Sequence, residues 1–153
     1  MPDATDLAPD FTLPRDGGEE ITLSSLRPGK VVLFFYPRDD TPGCTKESIA
    51  FTDMADAFAA AGATVLGVSK DTVASHDKFR DKHGLQVALL SDADSDVCES
   101  YGVWKEKSMY GKKFMGIERS TFLIDGDGTI ARAWRKVKVP GHVDEVLEAA
   151  QAL

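Results

Sequence analysis

Cys44 lies in the stretch Tyr36-Pro37-Arg38-Asp39-Asp40-Thr41-Pro42-Gly43-Cys44-Thr45-Lys46-Glu47, and the residue types around it suit a sulfur nucleophile. The unbroken apolar run Val31-Val32-Leu33-Phe34-Phe35 precedes it and reads as a strand buried on both faces. A long amphipathic segment follows, so the cysteine falls where a central strand hands over to a helix. Thr41 suits the N-cap, and Pro42 suits the first helical position. Cys44 is then the third helical residue. There the free backbone N–H groups and the positive end of the helix dipole favour a thiolate over a thiol. A thiolate so placed can attack a peroxide oxygen. The Thr41 hydroxyl, one turn before the sulfur, can donate to the thiolate or to the incoming peroxide. Pro37 can shield the site without adding a competing N–H. A threonine that only caps and a proline that only ends a strand are the alternative readings.

Such chemistry needs a cation, and 18 lysines and arginines leave the choice open on composition alone. Arg119 stands directly before the apolar strand Ser120-Thr121-Phe122-Leu123-Ile124. If that strand neighbours residues 31–36, its end lies beside the active turn; a surface arginine is the plainer alternative.

The elements that must position these residues follow from periodicity. Residues 7–13 lead through a short strand, and Gly17-Gly18 turns the chain back toward Ile21-Thr22-Leu23 as a hairpin, with one helical turn at residues 24–26. Ala50, Phe51, Met54, Ala57, Phe58 and Ala61 keep helical spacing, and Gly62 is placed to end one continuous helix. Residues 64–68 read as a second buried strand. Asp71 or Thr72 then caps a helix to about His83, whose thin apolar face predicts a peripheral position. A third strand spans 87–90, and a short helix carries Val97, Cys98 and Tyr101 and ends at Gly102. Residues 105–116, rich in Lys, Gly, Ser and Met, read as an exposed loop. Strands 120–124 and 129–134 flank Asp125-Gly126-Asp127-Gly128, a hairpin signal, and a last helix carries Val143, Val146, Leu147 and Ala150. The alternation predicts one α/β domain over residues 1–153, with a mixed sheet, parallel at its centre, and helices on both faces. The active turn falls at the carboxyl end of a central strand, where open α/β sheets usually place chemistry.

A net charge of −7 argues against nucleic acid or an anionic membrane as the main partner. No stretch reaches the roughly 18 apolar residues of a membrane span. The acidic start Met1-Pro2-Asp3-Ala4-Thr5-Asp6 lacks the basic and apolar parts of a secretory leader, which predicts a cytoplasmic location. Two cysteines do not make a disulfide scaffold. His76, His83 and His142 show no ligand spacing, and Asp125-Gly126-Asp127-Gly128-Thr129 resembles a calcium loop only until its twelfth position, which is Lys136. No metal or cofactor is expected.

Taken together, the sequence resembles the peroxiredoxins, specifically the peroxiredoxin Q group, also called bacterioferritin comigratory proteins. The likeness runs through Ala8-Pro9-Asp10-Phe11-Thr12-Leu13, Phe35-Tyr36-Pro37 to Cys44-Thr45-Lys46-Glu47, Leu90-Ser91-Asp92 and Tyr101-Gly102-Val103-Trp104. It continues through Arg119 to Asp125 and Val137 to His142. It implies a thioredoxin-like fold with an N-terminal hairpin extension, and reduction of hydrogen peroxide and organic hydroperoxides. It also implies Cys44 as the peroxidatic cysteine, with Pro37, Thr41 and Arg119 matching active-site residues. Glu47 matches a glutamate that orients the arginine, although a helpful charge in the first helical turn is an equal alternative. Thioredoxin or a glutaredoxin-like thiol is the implied reductant, and the chain is expected to act as a monomer.

One departure matters. Many members carry a resolving cysteine five residues after the first, where this chain has Ile49, or on the next helix, near Arg80. The remaining thiol is Cys98, which reads either as a small buried hydrophobe or as the resolver. The first reading leads to a one-cysteine cycle completed by an external thiol. A thiol–disulfide oxidoreductase is the nearest rival. It lacks support, because Thr41 stands where the first cysteine of Cys-x-x-Cys would be and Ser120 where such enzymes keep a proline. A non-catalytic thioredoxin-fold binding protein is the third.

Overall fold

The computed structural model describes residues 2–153. A five-stranded sheet forms the frame, in the order β5-β4-β3-β8-β9. Its strands are β3 (Lys30–Phe35), β4 (Ala63–Ser69), β5 (Ala88–Ser91), β8 (Ser120–Ile124) and β9 (Ile130–Trp134). β3 runs parallel to β4 and β4 to β5, whereas β8 is antiparallel to both β3 and β9. β3 is thus the central strand, and its two faces serve two cores. Leu33 and Phe35 pack with Leu66, Val68, Tyr101 and Phe122 on one face; Val32, Phe34 and Tyr36 pack with Phe51, Phe58 and Phe79 on the other. This double burial explains the continuous apolar run.

The second face carries α1 (Pro42–Asp53), α2 (Ala55–Ala60), α3 (Val73–His83) and α5 (His142–Ala152). The short α4 (Val97–Ser100) and the antiparallel N-terminal hairpin, β1 (Thr12–Pro14) with β2 (Glu20–Thr22), contribute to the first face. A single 3-10 turn at Leu23–Leu26 follows the hairpin.

The structure departs from the sequence reading in two places. The helix after Cys44 is not continuous: Met54, at φ −99° and ψ 8°, ends α1 and starts α2. Gly62, at φ 78°, still closes the segment in the left-handed conformation that glycine adopts without penalty. Residues 105–116 are not a loop but most of a hairpin, β6 (Trp104–Met109) with β7 (Lys112–Ile117). Tyr110 and Gly111 both take positive φ, 53° and 78°, as a two-residue primed turn requires. The hairpin escaped the pattern because most of its residues are polar or exposed on both faces, leaving no apolar alternation to read. In α3, His76 is completely buried beside Phe79, so a buried polar group joins a thin apolar face.

Candidate active site

The local sequence places Cys44 as predicted. Thr41 is in the N-cap position with extended backbone, Pro42 is the first residue of α1, and the Cys44 side chain is completely buried. Thr41 makes no capping hydrogen bond, however. Its hydroxyl donates to the Arg38 carbonyl at 2.9 Å, which tightens the turn between β3 and α1. Pro37, half-buried, follows directly on Tyr36 at the end of the central strand.

Arg119 reaches the same point because of strand register. Phe35 pairs with Ser120, so the residue before β8 lies at the level where β3 gives way to the active turn. Its side chain is 15% exposed and forks between two partners. Nη2 lies 3.2 Å from Cys44 Sγ, and Nη1 donates to Glu47 Oε1 at 2.6 Å. Burial acts against the guanidinium charge, but Glu47 and Cys44 outweigh it and hold Arg119 above its ordinary value. Glu47, one turn after Cys44 on α1, is fully buried. Burial pushes its carboxyl up to about 7 against the opposing pull of Arg119. Its Oε2 and the neighbouring Ser48 hydroxyl are both buried and find no hydrogen-bond partner among the described residues.

Two further residues shape the site and were not singled out from the sequence. A Cβ on Gly43 would come within 3.1 Å of Arg119 Nη2, so glycine here leaves room for the guanidinium. Its sequence signal is a poor helix former in the first turn beside the nucleophile. Lys107, from β6, donates to the Ile117 carbonyl and feels both Arg119 and Cys44; burial, with Arg119, pulls it below its usual value. Its signal was lost with the hairpin itself.

Cys98 belongs to the opposite core. It lies fully buried among Phe35, Tyr101 and Phe122, across the sheet from Cys44. Its backbone N–H donates to Asp92 Oδ2 at 2.8 Å, and burial, then Asp92, pushes its thiol well above the ordinary value. Both cysteines are free thiols. Ile49 and Arg80, the other two positions considered for a resolver, hold no sulfur, and Arg80 is instead ion-paired with Asp16 at 3.0 Å and Asp81 at 2.9 Å.

A parallel β3-β4-β5 unit joined to antiparallel β8-β9, with a buried cysteine at the first turn after the central strand and an arginine on its sulfur, defines a thioredoxin-like thiol peroxidase. The comparisons agree. Residues 4–133 match the AhpC/TSA family. The chain is 55% identical over 140 residues to a bcp peroxiredoxin of Coxiella burnetii, covering 92% of this chain and 93% of that protein. It is 48% identical to peroxiredoxin Bcp of Bacillus subtilis, over 92% of this chain and 90% of that one. Among solved structures, bacterioferritin comigratory protein of Xanthomonas campestris superposes with a TM-score of 0.91 at 46% identity, covering 98% of each chain. A cysteine-to-serine mutant of Xylella fastidiosa PrxQ superposes at 0.94 and 43%, covering 99% of this chain and 97% of that one. The chain belongs to the AhpC/TSA family, as a peroxiredoxin of the Bcp or peroxiredoxin Q kind.

Proposed function

We propose that Cys44 reduces hydrogen peroxide and organic hydroperoxides in a one-cysteine cycle. The fork from Arg119 to Cys44 Sγ and Glu47 carries the assignment. The Cys44 thiolate attacks the distal peroxide oxygen; the sulfur–oxygen bond forms as the oxygen–oxygen bond breaks, and sulfur is oxidised to sulfenic acid. The leaving hydroxide or alkoxide takes up a proton and departs as water or alcohol, its developing charge met by Arg119. Pro37 and Thr41 set the turn that presents the sulfur, and Glu47 aims the arginine. The similar Xanthomonas campestris protein is described as having alkyl peroxide reduction activity, which supports an organic peroxide substrate here.

The return step falls to an external thiol. One reducing thiol attacks the sulfenic acid and releases water, a second cleaves the mixed disulfide, and two electrons return to Cys44. Thioredoxin or a glutaredoxin-like protein suits this role. Cys98 does not, because it lies buried beneath the other face of the sheet. Arg119, Glu47 and Cys44 come from one chain, so a monomer has a complete site. Free thiols fit a reducing compartment such as the cytoplasm. Among the described residues, no helix is long and apolar enough to cross a membrane.

The test is peroxide consumption with thioredoxin by the wild type, Cys44→Ser and Cys98→Ser proteins. Activity is expected to vanish in the first variant and persist in the second. Undiminished consumption by Cys44→Ser would overturn the assignment.

A further inference from the structure

Beneath the active turn, a buried polar network joins the loop of residues 37–41 to α3. Asp39 is 8% exposed, and both its carboxylate oxygens are engaged. Oδ1 accepts from the Tyr36 hydroxyl at 2.6 Å; Oδ2 accepts from the Ser75 hydroxyl at 2.8 Å and faces His76 Nδ1 at 2.7 Å. The other nitrogen of His76, Nε2, donates to the Leu90 carbonyl at 2.9 Å. A carbonyl only accepts, so Nε2 holds one hydrogen, and Nδ1 and Asp39 Oδ2 hold a second proton between them. The result is a histidine–carboxylate pair of zero net charge with the His76 side chain wholly out of solvent.

The surroundings complete the clamp. The backbone N–H of Asp39 donates to Asp71 Oδ2 at 2.8 Å, and the Ser69 hydroxyl fixes that same oxygen at 2.6 Å. Asp40, in a left-handed backbone conformation at φ 59°, meets Lys82 at 2.7 Å and His83 at 2.9 Å. The groups facing His76 are therefore Asp39 from the active loop, Tyr36 directly after β3 at 3.5 Å, the Leu90 carbonyl from β5 and the charge of Asp71 from the segment before α3. Burial presses His76 downward, but Asp39, Leu90 and Asp71 together keep its proton in place above the ordinary histidine range.

A buried ion pair contributes little to stability compared with well-packed apolar residues, and its better-attested use is to fix one arrangement. We propose that Asp39 and His76 are the positioning pair of the active loop, anchoring it to α3 and so fixing the line of approach to Cys44 Sγ. The proposal rests on Cys44 being the peroxidatic residue. Neither group touches the reacting atoms; both act through the turn that carries Pro37, Thr41 and the first residues of α1. When the shared proton leaves at alkaline pH, Asp39 remains as a buried anion facing a neutral ring, and the clamp weakens. The same outcome follows at any pH when His76 is replaced by an apolar residue.

The experiment is the rate constant for single-turnover oxidation of Cys44 by hydrogen peroxide, measured from mildly acidic to alkaline pH, with thermal melts in parallel. His76→Leu and Asp39→Asn are expected to slow oxidation roughly 10- to 100-fold at neutral pH, since small misplacements of reacting groups cost that much. His76→Asn keeps an N–H toward Asp39 and is expected to recover to within about threefold of wild type while losing the alkaline fall of the wild-type profile. If His76→Leu does not fold, Asp39→Asn and His76→Asn carry the comparison. Folded variants that oxidise within about twofold of wild type at every pH would overturn the proposal. So would equal slowing by His76→Leu and His76→Asn with an unchanged pH profile, which is the mark of lost packing alone. Cys44→Ser is the control: if it still consumes peroxide, the peroxidatic assignment itself has failed and the pair is not at fault.

Discussion

Replacing Arg119 by methionine removes the cation from the sulfur while keeping most of the apolar stem. Two unit charges 3.2 Å apart attract by about 5 kcal/mol at an effective dielectric near 20. The guanidinium charge is delocalised, and Nη1 is committed to Glu47 at 2.6 Å, so roughly half of that attraction, about 2.5 kcal/mol, serves the sulfur. Loss of this share corresponds to roughly 50- to 100-fold in the rate of Cys44 oxidation. Arg119→Lys keeps the charge but not the planar fork spanning Oε1 and Sγ, and an intermediate loss is expected. Rapid mixing with excess peroxide, quenching with a thiol-alkylating reagent and counting unreacted Cys44 by mass would give the rate directly. An Arg119→Met protein that reacts within about threefold of wild type would refute the electrostatic argument.

Cys98→Ser should leave turnover with thioredoxin within about twofold of wild type and cost about 1 kcal/mol of stability, because the residue lies in the opposite core. Loss of turnover with Cys44 oxidation intact would instead make it the resolver. Gly43→Ala should crowd Arg119 Nη2, where the new Cβ would stand 3.1 Å away, and slow Cys44 oxidation by roughly tenfold with little change in melting temperature. An unchanged rate would mean that the arginine yields freely. Glu47 gives a pH prediction. Its carboxyl is raised from 4.5 to about 7, so in that window the unfolded chain has released a proton that the folded one retains, and stability falls as pH rises. The contribution is of the order of 3 kcal/mol. Glu47→Gln should flatten that part of a urea-midpoint profile, and an unaltered slope would count against the buried carboxyl as its source.

Legibility in the sequence followed the strength of local patterning. The handover from Val31–Phe35 to the helix at Pro42 was readable because burial on both faces leaves an uninterrupted apolar run and because Thr41-Pro42 marks a helix start. The approach of Arg119 was readable only conditionally, since it depends on β8 lying beside β3 in a particular register. Thr41 has the residue type and position of a cap, but its hydroxyl points to the Arg38 carbonyl, to which it donates, and accepts nothing from the helix N–H groups. The break at Met54 and the β6-β7 hairpin left no local mark, because neither Gly nor Pro punctuates the first and no apolar alternation outlines the second. His76 read as a histidine without metal-ligand spacing. Its burial follows from Asp39 on a loop 37 residues earlier, a contact that no periodicity encodes.

In the proposed cycle one sulfur does the chemistry and none in the chain resolves it. Intact-mass and peptide analysis after one equivalent of peroxide, with and without added thiol, tests this directly. A gain of one oxygen confined to Cys44 and reversed by thiol is predicted. Loss of two hydrogens through a Cys44–Cys98 bond, or oxygen carried on Cys98 alone, would contradict it.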